Sequence, residues 1–147
     1  MKVIICIEDR GGMMFNKRRE TRDRLVSLDM LVEAGASRLY IEPYSEKLFR
    51  GNEESVLVVE NVLEETPADG CCFVEDRDLA GSEEKIDTLI IYRWNRVYPY
   101  DRKLDIDMGR YERTGRIEFA GYSHDCVTKD TFRRLPTGER REYGDEE

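Results

Sequence analysis

Residues 3–7 read Val-Ile-Ile-Cys-Ile, an apolar and mostly β-branched run with no polar alternation. A strand wetted on one face alternates apolar and polar side chains, so an unbroken run fits a central strand buried on both faces of a sheet. Glu8-Asp9-Arg10-Gly11-Gly12 ends the run with turn residues, and Met13-Met14-Phe15 returns to apolar character in a segment expected to fold back over the sheet as a loop. Leu25, Leu28, Leu31 and Val32 then recur at helical spacing, with Thr21 or Asp23 placed to cap the helix and Gly35 to close it. Residues 38–42, Arg-Leu-Tyr-Ile-Glu, follow as a short strand. A strand, helix and strand in that order predict a parallel pair with a right-handed crossover.

Pro43 ends that strand, and Ser45 is placed to cap a helical turn through Phe49. Residues 55–59 and 71–74 read as short strands, and Leu89 to Trp94 gives the strongest strand signal because nearly every residue there is β-branched or aromatic. From Asp101 onward the pattern suggests antiparallel strands, with a closing hairpin about residues 121–125; residues 126–132 fit either a strand or a helical turn. The expected fold is an α/β domain over residues 1–135, three-layer-like, with a mixed, largely parallel sheet and a C-terminal antiparallel hairpin. Residues 136–147 read as a polar, acidic tail expected to fray.

A length of 147 residues suits one domain with one respectable core. No apolar stretch approaches the roughly 20 residues needed to cross a bilayer, and Met1 leads into the first strand without a signal-peptide pattern. A cytoplasmic protein with no membrane partner is the expectation. The four cysteines, Cys6, Cys71, Cys72 and Cys126, form no Cys-x-x-Cys pair and sit mostly in apolar patterns, which suits reduced thiols. With His124 the single histidine, no metal site is expected. The formal charge of −8 disfavours general nucleic-acid binding. Charge is unevenly placed, however: residues 16–24, NKRRETRDR, are basic, whereas residues 51–69 carry only acidic charges.

In chain order these segments resemble the dihydrofolate reductase fold: CIEDRGGMMF looks like that family's loop after the first strand, and Asp23 in TRDRL stands where the family places the acid that handles the pterin. The resemblance implies a Gly-Arg-x-Thr turn for the cofactor phosphate after the next strand, but Glu42-Pro43-Tyr44-Ser45 stands there. It also implies a Gly-Gly pair for the diphosphate, but the equivalent stretch is Phe73-Val74-Glu75-Asp76. Two carboxylates in place of glycines would repel a diphosphate, so no cofactor is expected and neither NADPH nor folates should bind. The run Gly12-Met13-Met14-Phe15-Asn16-Lys17-Arg18-Arg19 also resembles small bacterial proteins sometimes labelled ribonuclease Z. Such nucleases need a His-x-His-x-Asp-His cluster for two zinc ions, and one histidine does not supply it.

The preferred reading is a non-catalytic protein that binds a small anionic or nucleotide-like ligand, or a protein partner, through the loop after the first strand. Met14, Asn16, Arg18, Arg19, Arg22, Tyr44 and Ser45 are the candidate ligand-binding residues, since arginine forks at a strand end suit phosphate or carboxylate. If the chain is an enzyme, Asp23 would serve a divergent NADP-dependent reductase, or His124, beside Ser123 and Asp125, a small hydrolase. An inhibitor or immunity-type protein would use the acidic 51–69 surface on a basic partner. Tyr92, Trp94, Arg96 and Tyr98 share one parity and are expected to share a face if the strand stays regular.

Overall fold

The computed structural model describes residues 1–136 and 138–141, so most of the expected acidic tail lies outside the described residues. Val3–Ile7 lies within β1 (Lys2–Ile7), at the centre of a seven-stranded sheet. Its flanking neighbours are β6 (Cys71–Phe73) and β7 (Thr88–Arg93), both parallel to it. Beyond β6 lie β4 (Leu39–Ile41) and then β5 (Val56–Val58), also parallel. Beyond β7 come β10 (Val127–Arg134) and the edge strand β9 (Tyr111–Phe119), both pairings antiparallel. This is the mixed, mainly parallel sheet with an antiparallel C-terminal pair that the sequence predicts, and residues 127–134 are strand rather than helix. The first two strands of the expected crossover are parallel, but β6 inserts between them.

Residues 3–7 of β1 each have a core to face. Val3, Ile5 and Ile7 pack on one side with Leu89, Ile91 and Phe132, beneath a cover that includes Met13, Met14, Leu79 and the short helix α2 (Val62–Glu65). Ile4 packs on the other with Phe73, Ile90, Tyr92 and Trp94, beneath α1 (Arg24–Ala34). Burying a side chain of this size stabilises by about 1.5–3 kcal/mol, which is why two covered faces select a continuous apolar run. No helix among the described residues is long and apolar enough to cross a membrane.

Three local expectations are corrected. Residues 12–19 are not a loop: β2 (Gly12–Phe15) and β3 (Arg18–Arg19) form a hairpin, and β8 (Arg102–Lys103) completes a small second sheet. Its two-residue tip, Asn16 and Lys17, takes positive φ values of 54° and 60°, the backbone that matches the twist of paired strands. In α1 the buried residues are Val26, Ser27 and Met30, whereas Leu25, Leu28 and Val32 are 41%, 40% and 73% exposed. Polar anchors set that rotation. Asp29 accepts the Tyr92 hydroxyl at 2.5 Å and pairs with Lys129 Nζ at 2.7 Å, which also reaches Glu33. Finally, Asn95, at φ 60°, ends the regular strand; Tyr92 and Trp94 are core and Tyr98 packs against the same cluster, while Arg96 is exposed.

Candidate functional site

The C-terminal ends of β1, β6 and β7 meet α1 and the β2–β3 hairpin, the position at which open α/β sheets gather ligands. The space between them is almost filled. Cys6, Met13, Asp23, Val26, Met30, Phe73, Glu75 and Trp94 leave about 20 Å³, room for one water.

An ion-pair lock closes one side. Arg19 bonds Glu75 in a bidentate fork, Nε to Oε2 at 2.7 Å and Nη2 to Oε1 at 2.9 Å, with side chains only 17% and 8% exposed. Ser45 donates to the same carboxylate at 2.7 Å, and Arg19 also donates to the Tyr44 carbonyl at 3.0 Å and stacks 4.3 Å above the Tyr44 ring. Asp76 is paired with Arg102 at 2.7 Å, so each of the two carboxylates in the stretch 73–76 already faces an arginine. Arg19→Ala is expected to destabilise the fold by about 2 kcal/mol, because it strips a nearly buried carboxylate of its charged partner. Arg18→Ala should change it by under about 0.5 kcal/mol, the two being compared by urea denaturation.

Asp23 closes another side. It caps α1 through the Leu25 N–H at 2.9 Å and accepts the backbone N–H of Tyr122 at 2.9 Å and of Ser123 at 2.8 Å. His124 Nδ1 lies 2.9 Å from its Oδ2. Burial pushes the Asp23 carboxyl up, but these donors outweigh it and hold the group well below the usual carboxylate range. Gly121 is required here because a Cβ on it would collide with the Asp23 carboxylate. On the far side of the imidazole, Thr21 Oγ1 is 3.3 Å from Nε2, and the ring stacks on Trp94 with centroids 4.7 Å apart.

Glu20 is the exception among these buried carboxyls. Its Oε2 is buried with no hydrogen-bond partner among the described residues. Burial first, then the nearby charges of Glu8 and Asp101, raise it from 4.5 to about 7, against a lowering by Arg10. A group held above its unfolded value stabilises the fold below that value and loses the contribution as pH rises through the folded one. Wild type should therefore lose stability relative to Glu20→Gln between pH 4.5 and about 7, measured by urea denaturation at several pH values.

Outside the filled space lie two adjoining grooves that share Arg22 and Lys47. One, about 710 Å³, runs between α1 and the turn Pro43–Phe49, with Leu28, Leu31, Leu48 and Phe49 in its wall and Arg22, Arg24, Lys47 and Arg50 lining it. The other, about 630 Å³, adds Lys17, Arg18 and Tyr44. Among the described residues, Lys17, Arg18, Arg22, Lys47 and Arg50 form no ion pair within 4 Å. Arg24 stacks on Tyr122, 5.1 Å from the ring centroid.

Of the residues expected to meet a ligand, Arg18, Arg19, Arg22 and Tyr44 line the second groove. Asn16 sits at the hairpin tip, where its backbone N–H donates to Asp101 at 3.0 Å. Met14, 1% exposed, is core, because a strand in place of a loop turns it inward. Arg19 is committed to Glu75, and Ser45, expected as a cap, is buried against the same carboxylate instead. Lys47, Arg50, Leu28 and Leu48 were not anticipated as site residues; the Lys-Leu-Phe-Arg order of residues 47–50 was the local signal for three of them, and Leu28 was visible only as part of the helical repeat. Asp23 and His124, expected to serve separate chemistries, are in contact. All four cysteines are free; burial pushes the Cys71 thiol up to about 11 and Cys72 up to about 12. No group of three or more His, Cys, Asp or Glu side chains among the described residues is placed to hold a metal ion.

No family model matches the chain, and no curated protein does. Among solved structures it is similar to a dihydrofolate reductase from Enterococcus faecalis complexed with NADP(H) and RAB-propyl. The TM-score is 0.64 at 12% identity, over 92% of this chain and 96% of that one. The likeness establishes a dihydrofolate reductase-like fold. Nothing found supports the likeness to proteins labelled ribonuclease Z.

Proposed function

We propose that the chain binds a small anion with an apolar or aromatic body. The anionic end sits at the junction of the two grooves, between Arg22 and Lys47, and the body lies along Leu28, Leu31 and Leu48. The observation that carries this reading is the concentration of cations with no ion pair among the described residues around an apolar-walled groove in a protein of net charge −8. Evenly solvated surface charge gives no such grouping, and specificity in pockets of this kind comes from an apolar wall with a few convergent polar groups. Among the described residues Asp23 is the one carboxylate lining these grooves, and it is already saturated by donors.

The solved relative carries NADP(H). That cofactor is not the ligand proposed for this chain, because Glu75 and Asp76 stand in the stretch where the family uses glycines and are engaged by Arg19 and Arg102. Calorimetry with octyl phosphate tests the reading. Saturable binding is expected, with Arg22→Ala/Lys47→Ala weakening it by about 2 kcal/mol, roughly thirtyfold, as two charge-assisted contacts are lost. Equal binding by the double variant, or tight binding of NADPH with none of octyl phosphate, would overturn it.

A further inference from the structure

A third groove, about 640 Å³, meets the cationic pair at Thr21 and Ser123 and otherwise has its own lining. Thr21 and His124 face the turn Asn95–Tyr98 across it. Three side chains stand in file at its base. Asp23 Oδ2 is 2.9 Å from His124 Nδ1, and His124 Nε2 is 3.3 Å from Thr21 Oγ1. Asp23 is 0% exposed and His124 6%, whereas Thr21 is half-buried at the groove wall.

The tautomer follows from the partners. The ionised Asp23 already accepts three backbone N–H groups, so Nδ1 must donate to it, and in the neutral imidazole Nε2 then carries a lone pair that faces the Thr21 hydroxyl. Trp94 stacks on the imidazole and fixes its plane. The opposite wall is equally fixed. Asn95 Nδ2 bonds Thr128 Oγ1 at 3.0 Å and the Cys126 carbonyl at 3.2 Å, and buried Glu8 accepts the Tyr98 N–H at 3.2 Å. Holding a helix cap against the 121–124 turn needs only Asp23 and the backbone donors of Tyr122 and Ser123. The order of hydroxyl, imidazole and carboxylate goes beyond that need.

We propose that Thr21, His124 and Asp23 form a nucleophilic relay that hydrolyses small acyl esters in this groove. Thr21 Oγ bonds to the acyl carbon as its proton passes to His124 Nε2, and Asp23 balances the charge on the imidazolium. The ester C–O bond then breaks and the departing alkoxide takes the proton from Nε2. Water attacks the acyl-threonine, giving a proton to Nε2; the carboxylic acid leaves and Thr21 Oγ takes that proton back. Arg96, the cation lining this groove, meets the carbonyl oxygen as charge develops on it. Thr21 and His124 are the catalytic residues, and Asp23 is a positioning residue. A Thr to Nε2 distance of 3.3 Å is in the range of relays that tighten only with substrate bound.

The test uses p-nitrophenyl acetate on the full chain, reading p-nitrophenol release and mapping the acetyl group by peptide mass. Acetylation is expected at Thr21. Release should fall by about a hundredfold or more in Thr21→Val and in His124→Gln, and survive in Thr21→Ser. Thr21→Val is close to isosteric and removes only the hydroxyl, so its melting temperature should match wild type even if His124→Gln loosens the 121–124 turn. Release unchanged in Thr21→Val, or acetyl groups found only on lysines, would overturn the assignment.

Discussion

Asp130→Ala is expected to lower the unfolding free energy by about 3–5 kcal/mol, the usual cost of removing one partner from a buried ion pair. Asp130 is 0% exposed in the middle of β10, between β7 and β9. It takes Arg93 Nε at 2.7 Å from one neighbouring strand and a bidentate fork from Arg116, at 2.6 and 2.8 Å, from the other. Burial pushes its carboxyl up, but the two arginines outweigh that and hold it below its ordinary value. Truncation takes the shared carboxylate from Arg93, which is partly buried, and from the more exposed Arg116 at the antiparallel seam. Asp130→Asn keeps the shape and two acceptor lone pairs, so it should cost less. Urea denaturation of the three proteins checks the order. A loss under about 1 kcal/mol for Asp130→Ala would place the pair among surface bridges.

Asp23→Ala is the second large effect, about 3 kcal/mol. Loss of the helix cap accounts for about 1 kcal/mol. The Tyr122 and Ser123 N–H groups, left without their acceptor, add about 1–3 kcal/mol. The pH dependence has a definite sign. Because the folded carboxyl is held below its ordinary value of 3.8, its stabilisation is complete at neutral pH and is lost as pH falls below that value. The gap between wild type and Asp23→Ala should therefore be widest near neutrality and shrink in acid, the opposite direction to the effect of Glu20. A gap that stays constant down to strongly acid pH would show that Asp23 is not the stabilising ion.

The elements legible in the sequence were those whose physics is local or symmetric. Val3–Ile7 announced a central strand because both its faces meet core, Leu89 to Trp94 announced a strand by its composition, and Gly35 with one of Thr21 and Asp23, in the structure Asp23, marked the ends of α1 because capping is a property of adjacent residues. What stayed hidden depended on distant partners. The phase of α1 is set by contacts from Asp29 to Tyr92 and Lys129, and the Asp23 to His124 pair joins residues 101 apart in the chain. The hairpin was obscured because its left-handed tip is Asn16-Lys17 and carries no glycine. The same long-range rule moved the site. The basic run 16–24 was visible, but Arg19 is consumed by Glu75, a residue from another strand end, and its place at the groove is taken by Lys47 and Arg50 across the cleft.

The central claim is that an amphipathic anion seats between α1 and the 43–50 turn, and an amide-resolved NMR titration of the 15N-labelled chain with octyl phosphate tests it most directly. Saturable shifts are expected at Arg22, Ser27, Leu28, Leu31, Lys47 and Arg50, which line the groove and the junction, with little change on the acidic 51–69 segment. Added salt should weaken the titration and leave the set of shifted residues the same, because it screens the head group and not the apolar wall. Shifts spread over the surface without saturation, or confined to residues outside that groove, would contradict the account.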